Sequence, residues 1–171
     1  HHFTNKTAKT SHFSVDTALY SQLFYAIYLD ADGNFWTASV HDASNPKKTK
    51  SGCLVKYHYP SGKTTVYPAG KGISFASSIV LDITCDAKGN VYLLNKFGVC
   101  QLNPGSGKTS VYYSNELLPD NTYVSMELDA KNRLWLGTLT NGIVVYDIPT
   151  NKYILLKGQP TLLSNDMLMQ A

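Results

Sequence analysis

The stretch that decides the fold is Leu128–Tyr153, with the sequence LDAKNRLWLGTLTNGIVVYDIPTNKY. Its short apolar runs are separated by turns rich in Asn, Asp, Gly and Pro, which predicts short strands joined by tight connections. A unit of this size cannot bury both of its own faces, so it must stack on copies of itself. The sequence should therefore contain further copies of the stretch.

Two weaker copies lie upstream. The segment DAKNRLW at 129–135 matches DADGNFW at 30–36 and DAKGNVY at 86–92. Each copy predicts a hairpin turn whose fourth residue needs a left-handed backbone, which glycine and asparagine tolerate. An aromatic residue then follows at the same place in each copy. The turn residues are Gly33, Gly89 and Asn132, and the aromatic residues are Trp36, Tyr92 and Trp135.

A second type of turn gives the period of the repeat. It contains proline and is centred on Gly62, Gly107 and Asn151, at spacings of 45 and 44 residues. Four short strands in about 45 residues is the length of a propeller blade. We predict an all-β fold, a β-propeller fragment of three four-stranded antiparallel blades plus a flanking strand at each end. The blades span about 24–67, 79–113 and 123–157, with partial blades at 3–13 and 164–171 of a propeller segment at 3–171, and residues 1–2 are a tag remnant.

The expected strands are 24–29, 34–40, 53–58 and 63–67 in the first unit, 79–85, 90–94, 98–103 and 108–113 in the second, and 123–128, 133–138, 142–147 and 152–157 in the third. The first strand of each unit alternates in polarity, as half-buried strands do. In the third unit this alternation places Val124, Met126 and Leu128 on one face. Tyr123, Ser125 and Glu127 are expected on the other.

The composition is that of a β-protein outside the cytoplasm. Charged residues make up 16% of the chain, below the roughly 25% of an average globular domain. The net charge of +3 is too small to indicate a nucleic-acid partner. Three cysteines without a Cys-x-x-Cys or His/Cys cluster do not indicate a metal or redox centre, and Cys85 and Cys100 fit strand interiors. We expect no cofactor.

The sequence contains no catalytic motif. His12, His41 and His58 lie on separate elements, and the Gly-Lys-Thr at 107–109 lacks the upstream glycine and the helix of a phosphate-binding loop. We therefore expect this fragment not to be an enzyme.

A ligand site is expected where the units differ. The first unit carries an insertion at 41–51, between its second and third strands. In a propeller this connection shares a face with the loops between blades, and loops on a rigid scaffold commonly bind ligands. Lysines in the insertion would attract an anionic ligand, although a solvated loop is the simpler interpretation. The candidate ligand residues are His41, Asn45, Lys47, Lys48, Tyr113, Asn115, Asn121 and Tyr123.

Two other groups of residues have competing interpretations. Asp82 and Glu127 fall on equivalent first strands, which line a propeller channel, and could hold a calcium ion as in gluconolactonase-type propellers or hydrogen-bond within the channel. Trp36, Tyr92 and Trp135 could stack on sugar rings. Their regular recurrence favours packing between blades.

The third unit resembles a two-component regulator propeller repeat. The resemblance is carried by Leu134–Thr138, by Asn141–Ile143 and by Asp147–Lys152. It implies the periplasmic sensor region of a hybrid two-component system of Bacteroides-like bacteria, which binds a glycan or oligosaccharide. The histidine kinase and the membrane span would belong to the full-length protein. Alternatives are a propeller lyase or lactonase with a channel metal, and a scaffold that binds protein.

The ends of a three-blade stack expose apolar faces and unpaired strand edges, since propellers usually close with 4–8 blades. We therefore expect self-association through the open blade ends.

Overall fold

The computed structural model describes residues 23–40, 53–68, 79–95, 98–113 and 122–156. These residues form three groups of four strands, which we call blades 1, 2 and 3. Blade 1 consists of β1 (Leu23–Leu29), β2 (Asn34–Val40), β3 (Cys53–His58) and β4 (Lys63–Pro68); blade 2 of β5 (Val80–Cys85), β6 (Val91–Asn95), β7 (Gly98–Leu102) and β8 (Thr109–Tyr113); and blade 3 of β9 (Tyr123–Leu128), β10 (Arg133–Thr138), β11 (Ile143–Asp147) and β12 (Lys152–Leu156).

Each blade is one four-stranded sheet in which every strand pairs antiparallel with the next one along the chain. The all-β prediction of three four-stranded antiparallel blades is confirmed. Every strand boundary lies within one residue of its predicted position. The expected flanking strands at 3–13 and 164–171 lie outside the described residues. No helix that could cross a membrane occurs in the described part of the chain.

The turn residues have the expected left-handed backbone. The φ angles of Gly33, Gly89 and Asn132 are 77°, 78° and 57°. In each turn this residue's amide donates to the carbonyl of the aspartate that opens the turn, at 2.9–3.1 Å. The three turns are therefore copies in three dimensions as well as in sequence.

Asn132 offers a test of this backbone requirement. Asn132→Ala is expected to lower the free energy of unfolding by about 1 kcal/mol, because a Cβ without a compensating polar group disfavours φ near +57°. Asn132→Gly, which restores the residue of the sister turns, should be neutral or slightly stabilising. Urea unfolding of both variants measures the difference. An alanine variant as stable as the glycine variant would contradict the account.

The first strand of each blade contains a bulge at an equivalent position. The pairing register of β1, β5 and β9 with its neighbour shifts at Tyr25, Leu81 and Val124. A bulge adds one residue and reverses the alternation beyond it. The predicted placement of Tyr123 on the face of Ser125 and Glu127 is therefore wrong: Tyr123 is buried with Met126, while Val124 is exposed.

The core lies between blades. One cluster joins blade 1 to blade 2, and a second joins blade 2 to blade 3. Large residues of the first include Trp36, Leu54, Ile83, Leu93 and Leu102, and large residues of the second include Tyr92, Leu94, Tyr123, Leu134 and Tyr146. The inner strands β1, β5 and β9 contact each other in order, as in a propeller. Blade stacking, rather than any single sheet, therefore buries the apolar surface.

The two outer faces of the stack are apolar. On blade 1, Ile27 is 70% exposed, and it shares its face with the exposed Val66. On blade 3, Ile154 is 58% exposed and shares its face with Leu156 and Trp135. Both faces carry the residue types that are buried at the two interfaces between blades.

Candidate functional site

A repeated aspartate–aromatic brace sets the geometry of each blade. Asp30 accepts hydrogen bonds from the amides of Asp32 and Asn34, and its Oδ2 accepts from the indole Nε1 of Trp36 at 2.8 Å. In blade 3, Asp129 accepts from Trp135 Nε1 at 2.9 Å. The carboxylate thus ties the turn to the aromatic residue six positions later. This explains why the aromatic residue recurs with the turn.

Blade 2 extends its brace into a chain of polar groups. The Tyr92 hydroxyl donates to Asp86 at 3.3 Å and accepts from Gln101 Nε2 at 2.9 Å. Tyr112 in turn donates to Gln101 Oε1 at 3.1 Å, and its ring lies 5.6 Å from that of Tyr146 in blade 3. Burial raises the pKa of Tyr92 above its ordinary range, so this phenol stays protonated. The packing interpretation is confirmed for Trp36 and Tyr92, both of which are buried.

The brace carboxylates are stabilised in their charged form. Hydrogen bonds from the Arg133 and Trp135 side chains lower the pKa of Asp129, and the Arg133–Asp129 ion pair has a distance of 2.6 Å. For Asp30, burial raises the pKa, but hydrogen bonds from Trp36, Asn34 and Asp32 together lower it below its ordinary value. Both groups therefore favour the folded state only while they are ionised.

Stability should fall in acid because of these carboxylates. A folded-state pKa below the unfolded value of about 3.9 contributes stability that is complete above that value and is lost as pH falls through the folded pKa. We expect the difference in unfolding midpoint between the parent and Asp129→Asn to be constant above about pH 5. The difference should shrink as pH falls below 4. A difference independent of pH would contradict the ionic role of Asp129.

Asp82 links two blades through the backbone. Its Oδ2 accepts from the amide of Met126 in blade 3 at 2.7 Å, and its Oδ1 accepts from the amide of Ile83 at 2.8 Å. Burial raises the pKa of Asp82 and these two hydrogen bonds oppose that shift. Glu127, in contrast, is exposed. Asp82 is therefore a hydrogen-bonding residue of the inner strands. Within the described ranges no group of three His, Cys, Asp or Glu side chains is placed to hold a metal ion.

A polar groove of about 350 Å³ lies on blade 1, on the face turned towards blade 2. Its walls follow two cross-strand rows. One row is Asn34, His58 and Lys63, and the other contains Lys56 and Thr65, next to the buried Trp36. Tyr67 stands in the next row, and Asp32 and Ser61 lie at the turn end of the groove. The groove therefore opens beside the turns, on the side opposite the predicted ligand face.

The groove is held by contacts between its own residues. The Lys56 ammonium lies 5.1 Å from the centre of the Trp36 ring, and Trp36 stacks on Tyr67 at 6.0 Å. His58 Nδ1 is 2.7 Å from Ser61 Oγ. Asn34 donates to both carboxylate oxygens of Asp30, at 2.9 and 2.8 Å. Lys56 is thus held by the Trp36 ring, and His58 by Ser61, without a ligand.

Most of the predicted ligand residues fall outside the description. His41, Asn45, Lys47, Lys48, Asn115 and Asn121 lie in undescribed segments, and of Tyr113 the structure gives the backbone at the end of β8. Tyr123 is 0% exposed and packs in the core between blades 2 and 3. Their roles in ligand binding stay predictions.

Sequence reasoning missed Lys56 and His58. A signal was present: Lys56 pairs with the repeated aromatic residue Trp36, where the sister blades carry Gln101 opposite Tyr92 and Val145 opposite Trp135. A charged residue at a position that is neutral in both sister blades has no explanation in the repeat. Differences between equivalent strand residues, as well as differences in loop length, can therefore mark a site.

The third unit also matches a known repeat. The family described as two-component regulator propeller matches residues 117–140, which include β9, the Asp129 turn and β10. This segment is similar to a two-component regulator propeller repeat. Its Gly-Thr pair closes the next loop, because Thr138 Oγ1 donates to the Gly142 carbonyl at 2.7 Å and accepts from the Asn141 amide at 2.9 Å. No curated protein sequence matches the chain significantly.

Solved structures share the fold of this repeat protein. The extracellular domain of a protein assigned to the hybrid two-component systems of B. thetaiotaomicron superposes with a TM-score of 0.54 at 18% identity, over 78% of this chain and 17% of that one. The extracellular domain of a B. thetaiotaomicron protein assigned to the one-component systems superposes with a TM-score of 0.52 at 22% identity, over 78% of this chain and 16% of that one. Streptogramin B lyase superposes with a TM-score of 0.57 at 15% identity, over 81% of this chain and 41% of that one. The chain thus spans about a sixth of the two extracellular domains, and the likeness establishes the propeller fold.

Proposed function

We propose that this chain is part of an extracytoplasmic sensor propeller that binds a carbohydrate and passes the signal to a histidine kinase elsewhere in the protein. The observation that carries the proposal is the regulator propeller repeat at 117–140. The shared fold with two Bacteroides extracellular domains supports a periplasmic location. In this account the chain performs no chemistry.

The stacked blades suit a sensor because they form a stiff support. The brace fixes the turn within a blade, the two cores join each blade to the next, and Asp82 also links blade 2 to blade 3. A ligand then biases a signalling assembly only through its different affinity for two arrangements of that assembly. We place the contacts on the face of the 41–51 insertion and the loops between blades, with the candidate residues named from the sequence except the buried Tyr123.

A thermal-shift screen with neutral and acidic plant and host oligosaccharides tests the sensor proposal. An oligosaccharide that binds the folded chain raises the unfolding midpoint. At concentrations above its Kd, the increase is proportional to the logarithm of the concentration. The expected result is stabilisation by at least one member, unchanged in EDTA and without chemical change of the sugar. Stabilisation by none of them would count against carbohydrate sensing.

A lyase or lactonase is the second candidate, because streptogramin B lyase shares the fold. In that case calcium should stabilise the chain, and Asp82→Ala with Glu127→Ala should abolish the effect. The engagement of both Asp82 oxygens by backbone amides gives this candidate less support. A calcium-dependent shift lost in the double variant would favour the enzyme.

We further propose that copies of this chain associate through their outer blade faces. The exposed Ile27 and Val66 on blade 1 and Ile154 and Leu156 on blade 3 support this. Sedimentation velocity should give a mass that rises with concentration, and Ile154→Lys should lower it by placing a charge in the contact. A parent chain that stays monomeric at high concentration would contradict the proposal.

A further inference from the structure

The groove of blade 1 has a different set of charged residues from the same surface of its sisters, where Lys88 and Lys131 stand at the position of Asp32. Its two rows contain Lys56, His58 and Lys63. At the positions of Lys56 and His58, blade 2 has Gln101 and Asn103, and blade 3 has Val145 and Asp147. Lys63 is not particular to blade 1, because Lys108 and Lys152 occupy the equivalent positions in blades 2 and 3. A lysine and a histidine at one end of the groove, together with Asp32, are therefore particular to blade 1.

The chemistry of the groove fits an anion that also carries hydroxyl groups. Lys56 and Lys63 can pair with a carboxylate, and His58 has its Nε2 available because Nδ1 faces Ser61. Thr65 and Ser61 supply hydroxyls, and Asp32 can accept from a ligand hydroxyl. A compact anion without hydroxyls would gain nothing from Asp32 and would be repelled by it. The volume of about 350 Å³ lies within the range of small-molecule sites.

We propose that this groove binds an acidic sugar, with the carboxylate on Lys56, His58 and Lys63 and the ring hydroxyls on Asp32, Ser61 and Thr65. The proposal goes beyond the sensor function, because the groove lies beside the turns and not on the predicted ligand face. Binding at the groove and binding at the loops can therefore be tested independently of each other. A neutral oligosaccharide bound at the loops would leave the groove unchanged.

The structural alternative is that Lys56 only covers Trp36. A cation over an indole contributes about 0.5–1 kcal/mol at an exposed site, so the variant Lys56→Gln would then change stability slightly and ligand binding not at all. Binding data on this variant separate the two roles. Gln is also the residue that blade 2 carries at this position, which makes it compatible with the strand.

The chain has two tryptophans, so its two indole N–H signals in a ¹H–¹⁵N spectrum give a probe and an internal reference. Trp36 lies beneath Lys56, and Trp135 lies on the far face of blade 3. Titration with D-glucuronate should move the Trp36 signal and leave that of Trp135 in place. D-glucose should bind at least about tenfold more weakly, because it lacks the charge-assisted hydrogen bonds.

Lys56→Gln and His58→Asn should each weaken glucuronate binding by about tenfold while the spectrum stays dispersed. Lys108→Gln, which removes a lysine of blade 2 at the position equivalent to Lys63, should not weaken it. Three results would overturn the proposal: glucose binding as well as glucuronate, sulfate moving the Trp36 signal over the same concentration range, or both groove variants binding like the parent. If Lys56→Gln loses dispersion, His58→Asn alone decides, because His58 is the last residue of β3 and does not pair with Trp36.

Discussion

Replacing Trp36 by alanine is expected to lower the free energy of unfolding by about 3–5 kcal/mol, the usual cost of removing a fully buried large aromatic side chain. Trp36 is 1% exposed and belongs to the core between blades 1 and 2. The substitution also removes the donor to Asp30 and the ring that Tyr67 and Lys56 contact. Urea unfolding followed by circular dichroism measures the loss.

Trp135→Ala is the matched control, because this residue makes the same bond to Asp129 but is only half-buried. Its loss should be smaller, about 1–2 kcal/mol. Trp36→Phe should fall between the parent and the alanine variant, since it keeps apolar bulk and loses the hydrogen bond. Equal losses at Trp36 and Trp135 would show that burial between blades does not determine their roles.

Asp82→Ala is expected to lower the free energy of unfolding by about 2–3 kcal/mol, because it leaves the amides of Met126 and Ile83 without their charged acceptor. This bond joins residues of blades 2 and 3, so its loss should increase opening at that interface. Hydrogen exchange of the Met126 amide reports the opening directly. The exchange should accelerate more than the global loss of stability explains.

Glu127→Ala controls for the removal of a carboxylate from an inner strand, here β9 of blade 3. Glu127 is exposed, so its substitution should change stability by no more than about 0.5 kcal/mol. If both substitutions lower the free energy of unfolding equally, the loss reflects the removal of a negative charge and not the loss of the Asp82 hydrogen bonds. Asp82→Asn should recover part of the loss, because its amide oxygen can accept one of the two bonds.

The sequence was sufficient to predict the blades because the repeat is defined by the residues that its turns require. A left-handed residue such as Asn132 and the prolines of the second turn fix where strands end, and these are local requirements. The inner-strand bulges were missed for a physical reason. The bulged residues Leu81 and Val124 are themselves apolar, so the alternating pattern continues through them while the faces exchange.

The candidate site was predictable only in part. Differences in loop length are visible in a sequence, and they led to the insertion at 41–51. The groove of blade 1 depends on which residues stand opposite each other across three strands, and that register follows from the structure. Once the register is known, Lys56 and His58 stand out against Gln101 and Asn103.

The repeated and the unrepeated residues therefore have different roles. Aspartates such as Asp30 and aromatic residues such as Trp36 recur because every blade needs the brace. Residues that a ligand recognises need not recur, since a ligand contacts only part of a propeller. This division predicts that binding can be lost without loss of the fold.

Titration calorimetry with the oligosaccharide that gives the largest thermal shift tests this division most directly. The variants are Lys47→Ala with Lys48→Ala in the insertion, and Trp135→Phe in the repeat. Our account predicts that the lysine variant binds at least about tenfold more weakly with an unchanged unfolding midpoint. Trp135→Phe should bind like the parent and unfold more easily. Full binding by the lysine variant together with lost binding by Trp135→Phe would contradict the account, because the repeated aromatic residues would then be the sugar platforms.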